Sequence, residues 1–363
     1  MEVGEHIHWF ITSRCNSDCA YCFKPNTPCS ESGQTLETIA QILVDNKVKQ
    51  VTLGGGEPTL VKGLDNVLQV LKDGRAYVSL HTNGLLLNKE KIAGFSGLVD
   101  DIALPIDSLD AEVQESLRGK QFIPVPKIFE LAKAIQEKGM RVCYHTVFTA
   151  LNYKDIPKMY RPIKQNGFLY WRVYEFNEDL AFARLFNNVK TRGSSNKEAI
   201  QKYHEIDFLR GAGTPEKGFT DCLFAYFLLA EKQMRQHRDK QVQFVGVRDH
   251  DRSTYAFLEN NGDVCYYRWF SGRERRKIGN IIKDGFSTVI NTLRRVENDV
   301  ALFDEKANED FVNAINDRPL WARLWEGNYF IEEFDEIKSR YIPAFNRLQA
   351  LYEAKEKRLN QSA

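Results

Sequence analysis

No apolar run in this sequence approaches the roughly 20 residues that a membrane-spanning helix requires, which argues against a membrane partner. The opening stretch, MEVGEHIHWF, carries acids where a secretory leader would carry bases, and no long apolar segment follows. The expectation is a cytoplasmic protein. An excess of one charge is also missing: 50 Lys and Arg against 49 Asp and Glu leave a net charge of +1. Nothing global therefore favours nucleic acid or an acidic surface as partner, and the basic stretch RERRK (273–277) reads as a solvated face. Cysteine is scarce and odd in number, seven in 363 residues, with a spacing unlike a disulfide scaffold. No internal repeat stands out. What remains is a globular chain long enough to bury a large core, as one α/β domain or two.

Three of the seven cysteines stand together. RCNSDCAYCF (14–23) places Cys15, Cys19 and Cys22 in a C-x-x-x-C-x-x-C array, and the other four are scattered singly. In a reducing compartment, clustered thiols point to metal ligation or redox chemistry. Zinc is one reading, but no histidine or fourth cysteine follows at the usual short ligand spacing. Cys29, beyond a Pro-Asn-Thr-Pro turn, is a poor fourth ligand. An iron–sulfur cluster is the other: four irons normally take four cysteines, and three leave one iron open to a ligand of substrate or cofactor. Trp9, Phe10, Tyr21 and Phe23 flank the loop, either as a shield for a cluster or as ordinary core.

The first half alternates strand-like and helical segments. HIHWFIT (6–12), KQVTLGG (49–55), AYVSLHTNG (76–84), DIALPIDS (101–108), RVCYHTVFT (141–149) and YWRVYEF (170–176) read as six strands. Helical spacing runs through 36–46, 64–74, 128–139 and 153–165. This is the pattern of a parallel sheet with crossover helices, and an open, partial β/α barrel fits it as well as a doubly wound sheet. The composition shifts at VKTRGSSNKE (189–198), which gives a division into 1–188, a linker over 189–198, and a mostly helical extension over 199–363. The extension carries one hairpin, TYAFLENNGDVCYYRWF (254–270), turning at Asn-Asn-Gly-Asp. Its aromatic-rich last 60 residues would pack against the first half.

The cysteine loop after a first strand, followed by LGGGEPT (53–59) at the end of the second, resembles the radical S-adenosylmethionine (radical SAM) superfamily. The resemblance covers about residues 5–180 and implies a partial (β/α)6 TIM-like barrel. It further implies a [4Fe–4S] cluster on Cys15, Cys19 and Cys22, whose open iron is chelated by S-adenosylmethionine. Reductive cleavage then gives a 5′-deoxyadenosyl radical that abstracts hydrogen from substrate, with an electron donor such as flavodoxin or ferredoxin as partner. By the same resemblance, Gly55, Gly56 and Glu57 surround the methionine amine, and Pro58 stiffens the turn. Glycine suits a close approach of backbone to cofactor, although a strand-end glycine also marks a bulge. Thr82 and Asn83 would bind the ribose or methionine moiety, and Asp107 and Ser108 end the fourth strand within the site. Arg118 would reach the methionine carboxylate, Tyr21 would stand beside the thiolates, and the strand Val173-Tyr174-Glu175 would lie along the adenine. His81 and His145, on strand ends, either face substrate or are satisfied core histidines.

Two branches of the superfamily compete. CNSDCAYCF, DIALPIDSLDAEVQESLRG and the stretch from VFTALNYKD to YWRVYEF resemble viperin-like dehydratases of nucleoside triphosphates, although LGGGEPT departs from their GGEPF-like form. NGDVCYYRW and KIGNI (277–281) resemble the SPASM or Twitch extension of enzymes that modify peptides and other small molecules. Such extensions bind auxiliary clusters, but Cys222 and Cys265 alone cannot make a Cys₄ set, so the extension reads as degenerate. In that form the hairpin would be a lid, with Tyr266, Tyr267 and Arg268 over the substrate. The expected substrate is a small molecule or nucleotide, with peptide or RNA modification and a non-catalytic iron–sulfur sensor as the alternatives. The sensor would need the cysteines but not the glycine motif or Arg118.

Overall fold

The computed structural model describes residues 4–22, 32–176, 230, 234, 237–245, 256–267 and 275–295, and the statements below concern those residues. Cys29, Phe23, Cys222, Arg268, the linker expected at 189–198 and the final helical segment lie outside them.

The helices form because their apolar residues recur on one face. In α1 (Gly33–Asp45) these are Leu36, Ile39, Ala40 and Leu43; in α2 (Leu64–Asp73), Leu64, Val67, Leu68 and Leu71. In α5 (Val125–Glu137), Ile128, Leu131, Ala132 and Ile135 repeat the same i, i+3, i+4, i+7 spacing. Each such side chain, fully buried, contributes on the order of 1.5–3 kcal/mol. Shorter helices rely on their caps. Asn88 accepts from Lys91 N at the start of α3 (Lys89–Phe95), and Asp110 accepts from Glu112 N and Val113 N at the start of α4 (Ala111–Arg118). α6 (Ile156–Gln165) precedes the last of the parallel strands of the first half, and residues 286–295 are again helical.

Six strands alternate with these helices: β1 (His6–Thr12), β2 (Gln50–Gly55), β3 (Tyr77–His81), β4 (Asp101–Pro105), β5 (Arg141–Phe148) and β6 (Tyr170–Glu175). They pair in parallel in that order, as the alternating pattern requires. The second half adds four more: β7 (Val242–Val245), β8 (Ala256–Glu259), β9 (Asp263–Tyr267) and β10 (Arg275–Asn280). β7 pairs in parallel with β6, and β8 in parallel with β1. The sheet order is therefore β10-β9-β8-β1-β2-β3-β4-β5-β6-β7, an open sheet in which β7 and β8 are not paired with each other. This agrees with the partial barrel expected and enlarges it, because both edges of the six-strand core are covered by chain from the extension. The hairpin is thus part of one edge of the sheet, and the side chains of Tyr266, Tyr267 and Arg268, on which the expected lid rests, lie outside the described residues. β8 is hydrogen-bonded along β1, with His8, Trp9 and Phe10 opposite Phe257, Leu258 and Glu259, and the ring of Phe10 stacks on Phe257 at 4.3 Å.

Strand alternation sets two faces. Trp9, Ile11, Val51, Leu53, Val78, Leu80, Ile102 and Leu104 are buried in the core against the helices. The opposite face is polar: His6 Nε2 pairs with Thr52 Oγ1 at 2.8 Å, and Ser79 Oγ donates to Asp101 Oδ1 at 2.6 Å. A strand face lined this way is unsuited to packing against apolar helices, so the helices lie on one side and the concave polar side is left for a ligand.

Candidate functional site

The three cysteines occupy the loop that leaves β1, at the carboxyl end of the parallel strands, where ligands of such sheets bind. All three are half-buried and none is in a disulfide. Main-chain hydrogen bonds pin the loop from two sides. Gly56 N donates to Thr12 O and Glu57 N to Arg14 O, each at 2.7 Å, which ties it to the end of β2. Ala20 N donates to Leu117 O at 3.0 Å and Ser17 Oγ to Arg118 O at 3.1 Å, which ties it to the end of α4. The contact with β2 depends on glycine. A Cβ on Gly56 would lie 1.9 Å from Arg14 O, and one on Gly55, whose φ is +116°, would lie 2.4 Å from Thr12 O. Gly54 is different: its nearest neighbour would be His81 Cβ at 3.8 Å.

Glu57 is completely buried and its carboxylate is filled by the protein. Oε1 accepts from Thr59 N at 3.0 Å, Thr59 Oγ1 at 2.6 Å and Thr82 Oγ1 at 2.7 Å, and Oε2 accepts from Asn83 N at 2.7 Å. Of the two roles open to it, direct support of an ammonium or ordering of the loop, the geometry favours the second. Thr82 is likewise occupied, donating to Glu57 and accepting from Gly84 N at 3.0 Å. Asn83 turns towards the cysteines: Nδ2 donates to Asn16 Oδ1 at 2.7 Å and lies 3.9 Å from Cys15 Sγ.

On the other side, Tyr21, Asp107, Arg118 and Cys19 form one chain of contacts. Tyr21 OH donates to Asp107 Oδ2 at 2.7 Å, Arg118 Nε lies 3.2 Å from the same oxygen, and Arg118 Nη1 donates to Cys19 Sγ at 3.3 Å. Val147 N completes the shell of Asp107 at 2.8 Å on Oδ1. Burial pushes the Asp107 carboxyl above its ordinary value, and Arg118, the Val147 N–H and the Tyr21 hydroxyl act against that push. Arg118 is 9% exposed, so it is no surface residue, and its guanidinium already serves one protein carboxylate and one thiol. Ser108 stands apart. It is fully buried, its hydroxyl accepts from Asp110 N at 3.0 Å, and its N–H shares Gln114 Oε1 with that of Asp107. It shapes the turn into α4. Val173 also differs from expectation, since its side chain is fully buried in the apolar core beside Trp171, leaving only its main chain on the site's side of the sheet.

Arg118→Met should leave Asp107 buried without its cation, at a cost of about 3 kcal/mol in a denaturant titration. The double variant Arg118→Met with Asp107→Asn should recover part of that loss, because the orphaned charge is gone. A loss in the double variant equal to the sum of the losses in Arg118→Met and Asp107→Asn alone would mean that the pair is not coupled.

Sequence reasoning missed Asn16, Ser17, Gln114 and Arg172. The signal for Arg172 was the period-2 alternation of YWRVYEF, which puts Tyr170, Arg172 and Tyr174 on the face opposite Trp171 and Val173.

The chain matches the family model of the Radical SAM superfamily over residues 9–163. It is 27% identical over 165 residues to an S-adenosylmethionine-dependent nucleotide dehydratase of Lacinutrix mariniflava, covering 41% of this chain and 34% of that protein. It is 25% identical over 224 residues to a GTP 3′,8-cyclase of Aliarcobacter butzleri, covering 58% of this chain and 67% of the relative. The chain thus spans about a third of the first and two thirds of the second. In fold it is similar to Streptococcus suis SuiB bound to the precursor peptide SuiA, with a TM-score of 0.55 at 18% identity, covering 78% of this chain and 64% of that one. The superfamily uses a [4Fe–4S] cluster with S-adenosylmethionine, and the residues fit that pair. Zinc would need its ligands gathered on one ion, and among the described residues no three Cys, His, Asp or Glu side chains are close enough for that. A four-iron cluster asks instead for one thiolate per iron corner, and a pinned loop offers three. Over residues 9–163 this chain is thus similar to the radical SAM superfamily.

Proposed function

We propose that this protein is a radical SAM enzyme that acts on a small-molecule or nucleotide substrate. The observation that carries the reading is the loop of Cys15, Cys19 and Cys22, clamped by main-chain bonds between the glycine turn after β2 and the end of α4. When bound, a [4Fe–4S] cluster with S-adenosylmethionine would supply one-electron reductive cleavage of the sulfonium, and with it a radical able to abstract hydrogen from substrate. The chain's own part is positional. Cys15, Cys19 and Cys22 would hold the cluster, and Arg118 sets a fixed positive charge at the Cys19 sulfur, held in place by Asp107 and Tyr21. Glu57 locks the turns after β2 and β3 together, so that Asn83 and the main chain of Gly55 and Gly56 present a fixed wall to the methionine group. A flavodoxin or ferredoxin would deliver the electron. Within the superfamily, dehydration of a nucleotide is the reading favoured by the likeness to the dehydratase of Lacinutrix mariniflava. An iron–sulfur sensor would account for the thiols but not for the buried Glu57 hub or the glycine turn.

Anaerobic reconstitution should give about four irons per chain. Addition of S-adenosylmethionine should change the spectrum of the reduced cluster, and 5′-deoxyadenosine should form in the presence of dithionite. Tight zinc at full occupancy with no iron would overturn the reading.

A further inference from the structure

The concave face of the sheet carries a cluster that the cofactor-holding residues do not use. His8 on β1, His81 on β3 and His145 on β5 share that face with Tyr170, Arg172 and Tyr174 on β6. The rings of His81 and His145 meet edge to face at 4.4 Å, and those of His145 and Tyr174 at 5.2 Å. The Arg172 guanidinium lies 4.2 Å from the centre of the Tyr170 ring, and its Nε donates to Gln243 Oε1 at 2.9 Å.

Two features of the cluster are costly unless something else binds there. Nε2 of His8, of His81 and of His145 is buried without a hydrogen-bond partner, so each has lost water and gained nothing in its place. Arg172 is half-buried, and among the described residues no carboxylate stands within ion-pair distance of it, so its charge is offset only by neutral acceptors. All three imidazoles are held well below their ordinary value, first by burial and then by positive neighbours that include Arg172 in every case. They are therefore neutral, and each can carry its one proton on Nε2 as a donor to an anion beside that cation. A metal does not explain them, because among the described residues no three such side chains come close enough to share an ion. His81 is two residues from Asn83, which reaches Cys15, so the cluster adjoins the proposed cofactor site along the chain.

We propose that His8, His81, His145 and Arg172 bind an anionic oxygen group of the substrate, a phosphate or a carboxylate, on the concave face of the sheet. This deepens the proposed function and rests on it for the word substrate. Arg172 supplies the charge and a two-pronged donor, and the Nε2–H groups supply the remaining hydrogen bonds to oxygen. An anion here would satisfy the unpaired imidazole nitrogens and the uncompensated guanidinium together.

The test is calorimetric titration of the anaerobic holoenzyme with two probes, inorganic tripolyphosphate and citrate. At least one should bind saturably. Binding of tripolyphosphate alone assigns a phosphate-bearing substrate, and binding of citrate alone a carboxylate. Arg172→Gln should weaken the binding about tenfold or more, Arg172→Lys less, and the pair His81→Phe with His145→Phe should weaken it without loss of Arg172. Iron content and S-adenosylmethionine affinity, measured on the same samples, should stay unchanged. If neither probe binds, or if Arg172→Gln and the double histidine variant both bind like wild type, the proposal is wrong. Zinc in place of iron would instead overturn the radical reading, and anion binding would still be read in the same titration. Should Arg172→Gln fail to fold, the double histidine variant and Arg172→Lys decide the matter.

Discussion

Replacement of Cys15, Cys19 or Cys22 by alanine should give a folded protein that holds no [4Fe–4S] cluster and forms no 5′-deoxyadenosine. The expectation combines two parts of the structure. Three thiols are the smallest set that leaves a single iron open, so loss of one leaves two iron corners without protein ligands. The loop that carries them is held by other groups. Gly56 N, Glu57 N and Ala20 N bond to main-chain oxygens of Thr12, Arg14 and Leu117, and Ser17 Oγ bonds to Arg118 O. None of these contacts uses a sulfur, so circular dichroism of the metal-free protein should match wild type, and only Cys19→Ala, which also removes the thiol met by Arg118 Nη1 and Ser17 Oγ, should lower the denaturation midpoint. Iron analysis and the visible spectrum after anaerobic reconstitution are the measurements. Full iron in any one of the three variants would remove that cysteine from the ligand set, and unfolding of all three would show that the thiols hold the loop.

Much of the architecture was legible because short-range periodicity carries it. The spacing of Leu36, Ile39, Ala40 and Leu43 marks α1, and the alternation of HIHWFIT marks β1, without knowledge of the partners. The cysteine loop was legible for the same reason: its ligands are neighbours in sequence. What escaped depends on long-range pairing. β7 and β8 join the sheet from residues far along the chain, and nothing local in VQFV or AFLE says which edge they cover. α3 and α4 are short, with caps rather than long apolar stripes, so the spacing of apolar residues does not mark them. Arg118 sits at a helix end, where an exposed arginine is ordinary; its burial follows from Asp107 and Cys19, both distant in sequence. Glu57 looked free to meet an ammonium, because its four donors come from the turn after β3 as well as its own. For Val173, strand alternation already places the side chain on the same face as Trp171, so any contact of this strand with an adenine would come from its main chain or from Tyr174.

Gly56→Ala should abolish cluster binding and destabilise the protein by about 3 kcal/mol or more, whereas Gly54→Ala, two positions away, should change stability by less than about 1 kcal/mol. In LGGGEPT the three glycines are indistinguishable, yet their surroundings differ. At Gly56 the added carbon would stand 1.9 Å from Arg14 O, 2.6 Å from Arg14 C and 3.0 Å from Ser13 C. These are main-chain atoms of the cysteine loop and cannot rotate away. The turn cannot retreat either, because Gly56 N and the adjacent Glu57 N are each bonded across the contact at 2.7 Å, and Glu57 is fixed by its four side-chain hydrogen bonds. The clash is relieved only if the cysteine loop lifts from β2, which breaks both main-chain bonds and moves Cys15 relative to Cys19 and Cys22. At Gly54 an added methyl would meet His81 Cβ at 3.8 Å, ordinary contact distance, on a strand where alanine is less costly than glycine. Denaturant titration of both metal-free variants, with iron analysis after reconstitution, reads the contrast directly. A Gly56→Ala protein with full iron and wild-type stability would mean that the loop and the turn are not in contact as described. If the two variants lost stability equally, the effect would belong to strand glycine in general and not to the approach of the turn to the cysteine loop.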